Sequence, residues 1–115
     1  MVTNDRISEQ LIVEGPWMMY RSGLYYLFYS SSWVQRSTYH VGVAVSSNVT
    51  GPFTKTDTAV LQTEDKEEVK FEGPGHGSVV EDGLGDWWMV YAAWEGGRVN
   101  TWPPGRMMML DKISW

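Results

Sequence analysis

The sequence predicts an all-β fold of antiparallel sheets repeated about an axis, a partial β-propeller. Three observations lead there. No segment carries a sustained 3.6-residue apolar period with helix caps. Short runs rich in aromatic and β-branched residues alternate with Gly/Pro turns, which is strand-and-turn chemistry. One unit also recurs. Gly23-Leu24-Tyr25-Tyr26-Leu27-Phe28-Tyr29 superposes on Gly85-Asp86-Trp87-Trp88-Met89-Val90-Tyr91, a shift of 62 residues that also carries Glu14 onto His76. In a propeller the innermost strand of each blade delivers its residues to the axis. Glu14 and His76 are therefore expected to converge. The repeat units run roughly over residues 11–55 and 73–115, about two to two and a half blades of four-stranded sheet.

The elements follow in order. Leu11, Ile12 and Val13 lead into Glu14-Gly15-Pro16. Pro16 restricts Gly15 to extended or turn conformations, which puts Glu14 at the start of a strand. A carboxylate in an apolar setting has its charged form disfavoured, as a general acid requires; the competing reading is a solvated Glu in a turn. Residues 17–20 and 24–30 form a hairpin around Arg21-Ser22-Gly23, the second strand apolar on both faces. Ser31 to Thr38 is a polar loop holding Trp33, Gln35 and Arg36. The Trp33 indole there either fills a pocket or stacks on a ligand.

Tyr39 to Ser46 is the next strand. Tyr39, Val41, Val43 and Val45 form its apolar face, and Gly42 and Ala44 a thin opposite face open to another sheet. Ser47 to Pro52 turns, and Phe53 to Lys55 starts a short edge strand. Glu64-Asp65-Lys66-Glu67-Glu68 reads as a solvated loop or helical turn. Gly73-Pro74-Gly75-His76-Gly77 reads as a tight turn that leaves the imidazole little covered. Ser78 to Glu81 and Trp87 to Ala93 make a second hairpin, with Asp82 and Asp86 as turn formers. Trp94 to Gly105 is an irregular loop containing Trp102, and Arg106 to Leu110 a final strand.

Composition narrows the function. Of 115 residues 43% are apolar and 20% charged, a globular balance. Seven Trp, six Tyr and three Phe favour strands or sugar-stacking surfaces. A net charge of −5 without an Arg/Lys cluster speaks against nucleic acid as a partner. The absence of cysteine excludes disulfides and Cys-based metal sites. The longest strongly apolar run, Trp87 to Trp94, is far too short to span a bilayer, so no membrane partner is expected. Residues 1–13 lack the apolar core of a signal peptide. The full-length protein is nevertheless expected to be extracellular.

Taken in order, Glu14-Gly15-Pro16, Gly23 to Ser30, Tyr39 to Ala44 with Thr50-Gly51-Pro52-Phe53, Gly75-His76-Gly77-Ser78 and Trp87 to Tyr91 resemble glycoside hydrolase family 43. That family includes arabinanases, α-L-arabinofuranosidases and β-xylosidases. The resemblance implies a five-bladed β-propeller with an axial funnel, and inverting hydrolysis of arabinan- or xylan-type polysaccharides and oligosaccharides by one acid and one base carboxylate. It implies Glu14 as the general acid. It implies His76 as the axial histidine near a water-mediated Ca2+, and Arg106 as an arginine that reaches the sugar. Trp33 is a further candidate for sugar binding. The base Asp and an Asp that tunes the acid would both lie upstream of Glu14, where Asp5 stands in surroundings unlike the base motif. The chain thus resembles the C-terminal portion of such an enzyme, inactive alone. A two-blade piece should expose open sheet edges and apolar blade faces. A non-catalytic carbohydrate-binding propeller is the alternative, and a protein-interaction scaffold a third.

Overall fold

The structure is a computed structural model that describes residues 2, 3, 5, 6, 9, 12–64 and 70–115. Its seven strands are β1 (Val13–Arg21), β2 (Leu24–Ser31), β3 (His40–Ser46), β4 (Thr54–Lys55), β5 (Phe71–Glu81), β6 (Trp87–Glu95) and β7 (Arg106–Lys112). They form two antiparallel meanders, β1-β2-β3-β4 and β5-β6-β7. The all-β expectation holds. Leu11 of the apolar lead-in, and residues 65–68 of the charge run, lie outside the described residues.

Both hairpins follow from their turn residues. Arg21 pairs with Leu24, leaving Ser22-Gly23 as a two-residue turn. Both turn residues have positive φ, 50° and 84°, as a turn matched to strand twist requires. The second hairpin closes at Glu81 and Trp87 through a longer loop. There Asp82 Oδ1 accepts the backbone N–H groups of Leu84 at 2.8 Å and Asp86 at 3.0 Å, and Oδ2 accepts Trp88 Nε1 at 2.9 Å. Asp82 is the turn former its position suggested.

Two expectations are corrected. Gly73 to Gly77 is not a turn. It lies inside β5, which stays paired with β6 from Phe71 to Glu81 across two irregularities, between Glu72 and Gly75 and between Gly75 and Ser78. The glycine-rich backbone is absorbed as β-bulges. The repeat is also offset by one residue on its first strand. β1 bulges between Glu14↔Ser30 and Trp17↔Phe28, and β5 between Gly75↔Ala92 and Ser78↔Val90. His76 is therefore the structural counterpart of Gly15, not of Glu14, and the two share φ values of 57° and 56°. The longer second loop carries the extra residue.

The core lies between the sheets. Phe28, Val41 and Val43 pack with Val79, Met89, Tyr91 and Ala93, all buried. Strand alternation decides which side chains enter it. Met19 turns inward and packs on this core while Met18 and Tyr20 face out; Val79 turns in while Val80 faces out. The outer faces are apolar and uncovered, with Met108 83% and Tyr20 59% exposed. β2 is accordingly buried only over Phe28–Ser31, while Leu24 to Leu27 stay partly open. Gly42 does not await another sheet: the Tyr29 ring fills its space, 2.6 Å from where a Cβ would stand.

A buried ion cluster anchors Asp5 and Glu9, ahead of β1. Glu9 is 1% exposed. Its carboxylate accepts Lys55 Nζ at 2.6 Å, the Tyr29 hydroxyl at 3.2 Å and the Asp5 amide at 3.1 Å. Lys55 also binds Asp5 Oδ1 at 2.7 Å. Burial works against the Glu9 charge, but Lys55 and the amides of Arg6 and Asp5 outweigh it and hold the carboxyl below its ordinary value.

At the opposite edge, Trp115 clamps the sheets. Its ring stands edge-on to Tyr26 at 5.0 Å and Trp87 at 5.9 Å, and the Arg21 guanidinium lies 4.6 Å from its centroid. Aromatic pairs contribute about 0.5–1.5 kcal/mol each beyond burial. Trp115→Ala should therefore lower unfolding free energy by about 1–3 kcal/mol in urea. A change within 0.5 kcal/mol, on the order seen for ordinary surface sites, would show that the clamp does not contribute.

Candidate active site

In an antiparallel meander every second strand begins at the same edge. Glu14 near the start of β1, Tyr39 just before β3, Gly75 and His76 early in β5, and Arg106 at the start of β7 share that edge despite their distance in sequence.

Tyr39 joins them. It is 0% exposed, and its hydroxyl donates to Glu14 Oε1 at 2.6 Å. Its ring packs against Gly75, where a Cβ would stand 2.1 Å from Cε1 and 2.5 Å from Cδ1. On the ring's other contact the Arg106 guanidinium carbon is 5.1 Å from the centroid, within cation–π range. Arg106 Nη2 donates to the carbonyls of Gly73 and Gly75, each at 3.3 Å, and to that of Ala92. Its Nε is buried without a hydrogen-bond partner among the described residues.

The electrostatics follow from burial. Desolvation, then the hydrogen bond to Glu14, push the Tyr39 phenol up to about 12. Desolvation also pulls the Arg106 guanidinium below its ordinary value, against the pull of Tyr39 and Glu14. Tyr39 thus stays a neutral donor at neutral pH, and Glu14 is held on one oxygen. Glu14 itself is exposed. The apolar lead-in does not enclose it, because the side chains of Ile12 and Val13 are themselves only half-buried.

His76 is brought to Glu14's neighbourhood as expected. Its Nδ1 lies 3.3 Å from where a Cβ on Gly15 would stand. Its backbone N–H donates at 2.6 Å to Oγ of Ser30, the ladder partner of Glu14. A non-glycine residue at positive φ costs roughly 1–3 kcal/mol, which this bulge must hold in place. The imidazole is exposed. Arg106 is placed behind Tyr39, bonded to backbone carbonyls. Trp33 is 48% exposed in the β2–β3 loop, apart from this chain of contacts. Asp5 is engaged by Lys55, which lowers its carboxyl from the ordinary value.

Sequence reading missed Tyr39, which it placed on an apolar strand face. The available signal was its hydroxyl: a buried phenol needs a polar partner.

Two sheets radiating from an edge that gathers a carboxylate, an imidazole and a guanidinium define the class: a segment of a propeller with its polar centre at the inner edge. The chain belongs to glycosyl hydrolases family 43, whose pattern it matches over residues 1–115. It is 34% identical over 85 residues to a β-D-galactofuranosidase, xynD, of Aspergillus niger, covering 74% of this chain and 24% of that protein. Among solved structures it is similar to an endo-1,4-β-xylanase of Bacteroides thetaiotaomicron. The TM-score there is 0.82 at 26% identity, over 98% of this chain and 38% of that one. It also shares its fold with an α-L-arabinofuranosidase of Lactobacillus brevis, with TM-score 0.80, 24% identity and coverages of 96% and 37%. The chain therefore spans about a quarter to two fifths of these proteins' lengths.

Two outcomes test this geometry. Gly75→Ala must displace the Tyr39 ring and should cost about 1–3 kcal/mol by overpacking. Gly83→Ala, with nothing within 4 Å, should be near neutral in the same denaturant titration. Because the folded state favours the neutral phenol, Tyr39 contributes stability in full below about pH 10 and loses it as pH rises through about 12. The fall in unfolding free energy over that window should be smaller in Tyr39→Phe than in the parent. Parallel curves would show that the phenol is not held this way.

Proposed function

We propose that this chain supplies the general acid of a glycoside hydrolase acting on arabinose- or xylose-containing glycans, and that Glu14 is that acid. The observation that carries the reading is the single short hydrogen bond from buried Tyr39, which fixes one oxygen of an otherwise exposed carboxylate. An acid must meet the leaving oxygen at a set angle, and a carboxylate held at one oxygen keeps the other available. Family membership gives the reaction class. In an inverting reaction Glu14 donates its proton to the glycosidic oxygen as the C–O bond breaks. A second carboxylate takes a proton from the attacking water on the opposite face of the sugar. We assign that base to a part of the full-length protein beyond this chain, since Asp5 is committed to Lys55.

His76 belongs to the same site as a contact for the sugar or for ordered water beside Glu14. For an axial Ca2+, the described residues include no group of three His, Cys, Asp or Glu side chains that could hold a metal. Calcium prefers six to eight oxygens. On this reading His76 would stand beside a water-mediated ion whose remaining oxygens come from water and from other parts of the full-length protein.

In the full-length protein, Glu14→Gln should reduce hydrolysis of the natural glycan by at least about 10²-fold, and that of an activated aryl pentoside far less, because a good leaving group needs no proton. Equal losses on both substrates would remove Glu14 from the acid role. Glycan binding without hydrolysis in the parent protein would favour the non-catalytic propeller.

A further inference from the structure

The β2–β3 loop and the β6–β7 loop both emerge at the edge that carries Glu14. Between them lies an open groove lined by Trp33, Gln35, Arg36 and Asn100. Its walls are anchored. The Val34 carbonyl accepts Nε1 of buried Trp94 at 2.8 Å. The Arg36 carbonyl accepts the Tyr39 N–H at 3.2 Å and rests against Gly73, where a Cβ would come within 2.6 Å. Ser37 O accepts Thr63 Oγ1 at 2.5 Å. Opposite, Asn100 sits at φ 57° in a turn closed by Thr101 N–H to Arg98 O at 3.2 Å. The loop that carries Arg36 is thus tied directly to Tyr39, the residue that holds Glu14.

The groove's chemistry is specific. The chain carries a net charge of −5, yet none of the lining residues is acidic. The neighbouring Arg98 is neutralised by Glu95 at 3.0 Å. The Arg36 side chain has no ion pair or hydrogen bond among the described residues, and it stands beside an indole that is 48% exposed. An unpaired guanidinium presents a fork of donors that matches a carboxylate in two parallel hydrogen bonds. A half-exposed indole offers a flat apolar surface to a pyranose ring. Gln35 and Asn100 supply both donors and acceptors for hydroxyls.

We propose that this groove binds a uronic-acid residue carried by the glycan: Trp33 stacks on the ring and Arg36 takes the carboxylate. The inference rests on the hydrolase reading, because that reading brings a glycan to this edge. It adds that the substrate class is an acidic, uronic-acid-substituted polysaccharide.

Methyl β-glucuronide and methyl β-glucoside differ at this carboxylate, so they probe the groove without depending on the polymer. Each is titrated into the protein while the Trp33 indole resonance, assigned with Trp33→Phe, is followed by NMR. The glucuronide should saturate at roughly tenfold lower concentration, equivalent to about 1.4 kcal/mol. Arg36→Gln should remove that preference while the glucoside still shifts the indole, and added salt should narrow the gap. Equal titrations by the two sugars, a preference that survives Arg36→Gln, or no indole shift with either sugar would overturn the inference. Hydrolysis of a neutral glycan with no uronic preference sinks this proposal alone. A uronic preference in a protein that hydrolyses no glycan sinks the hydrolase reading alone.

Discussion

The Tyr39 phenol is the contact on which the site depends. Its ring needs a bare backbone at Gly75, its hydroxyl needs an acceptor because it is fully buried, and its face needs a cation that tolerates burial. Each need is met from a different strand: Gly75 on β5, Glu14 on β1, Arg106 on β7. One side chain thereby fixes how closely the two sheets approach and where the carboxylate points. An intramolecular hydrogen bond contributes about 0.5–1.5 kcal/mol net, enough to favour one rotamer of an exposed Glu but not to set the fold. The fold comes instead from the apolar layer of Phe28, Val41, Val43, Val79, Met89 and Tyr91.

The bulges complete this arrangement. A regular strand alternates its side chains between faces, so neither Glu14 nor His76 could leave the edge sideways without breaking the period. Gly15 and His76 take the same left-handed backbone conformation at matching bulges. In β1 the position is a glycine, which adopts it without strain. In β5 it is a histidine, whose strain is offset by the Ser30 hydroxyl on its amide and by the open space over Gly15. The exchange is complementary: the blade with a glycine at the bulge makes room for the imidazole of the other. Arg106 completes the geometry from behind, tying the carbonyls of Gly73, Gly75 and Ala92 across the irregular part of the ladder. Gly73 and Gly75 flank the ladder's irregularities, and a buried carbonyl needs a donor.

Much of this was legible in the sequence, for reasons that differ by residue. The hairpins were readable because Ser22-Gly23 and Asp82 have local turn chemistry, which needs no tertiary partner. The pairing of two blades was readable because aromatic strands recur at a fixed shift. The offset of one residue was not, since a loop can take up an extra residue without altering either flanking pattern. The glycine-rich run at 73–77 was misread as a turn because glycine permits both a turn and a bulge, and only the partner strand decides between them. Tyr39 was hidden by alternation: it continues the apolar period of Val41 and Val43, and nothing local reveals that its hydroxyl meets Glu14 across 25 positions. Glu9 was unreadable for the same reason, being buried through Lys55 far along the chain.

The meander separates chemistry from stability. Alternate strands start at one edge and end at the other, so the starts of β1, β3, β5 and β7 collect the polar groups while Trp115, Tyr26 and Trp87 close the opposite edge with aromatic contacts. Two of the connections at the polar edge, β2–β3 and β6–β7, are long and carry Trp33, Arg36, Asn100 and Trp102, whereas the β1–β2 and β5–β6 hairpin turns at the other edge are short. Long loops on a rigid scaffold can change side chains without disturbing the core. The strand that carries Glu14 is therefore tied to the fixed layer through Tyr39, while Trp33 and Arg36 sit on the variable layer. Arg36 belongs to both: its backbone carbonyl receives the amide of Tyr39 while its guanidinium faces the groove. A ligand bound at this loop would act on the same short segment that holds the Glu14 carboxylate, so on the proposed reading recognition and protonation would be linked through three residues of backbone rather than through the core.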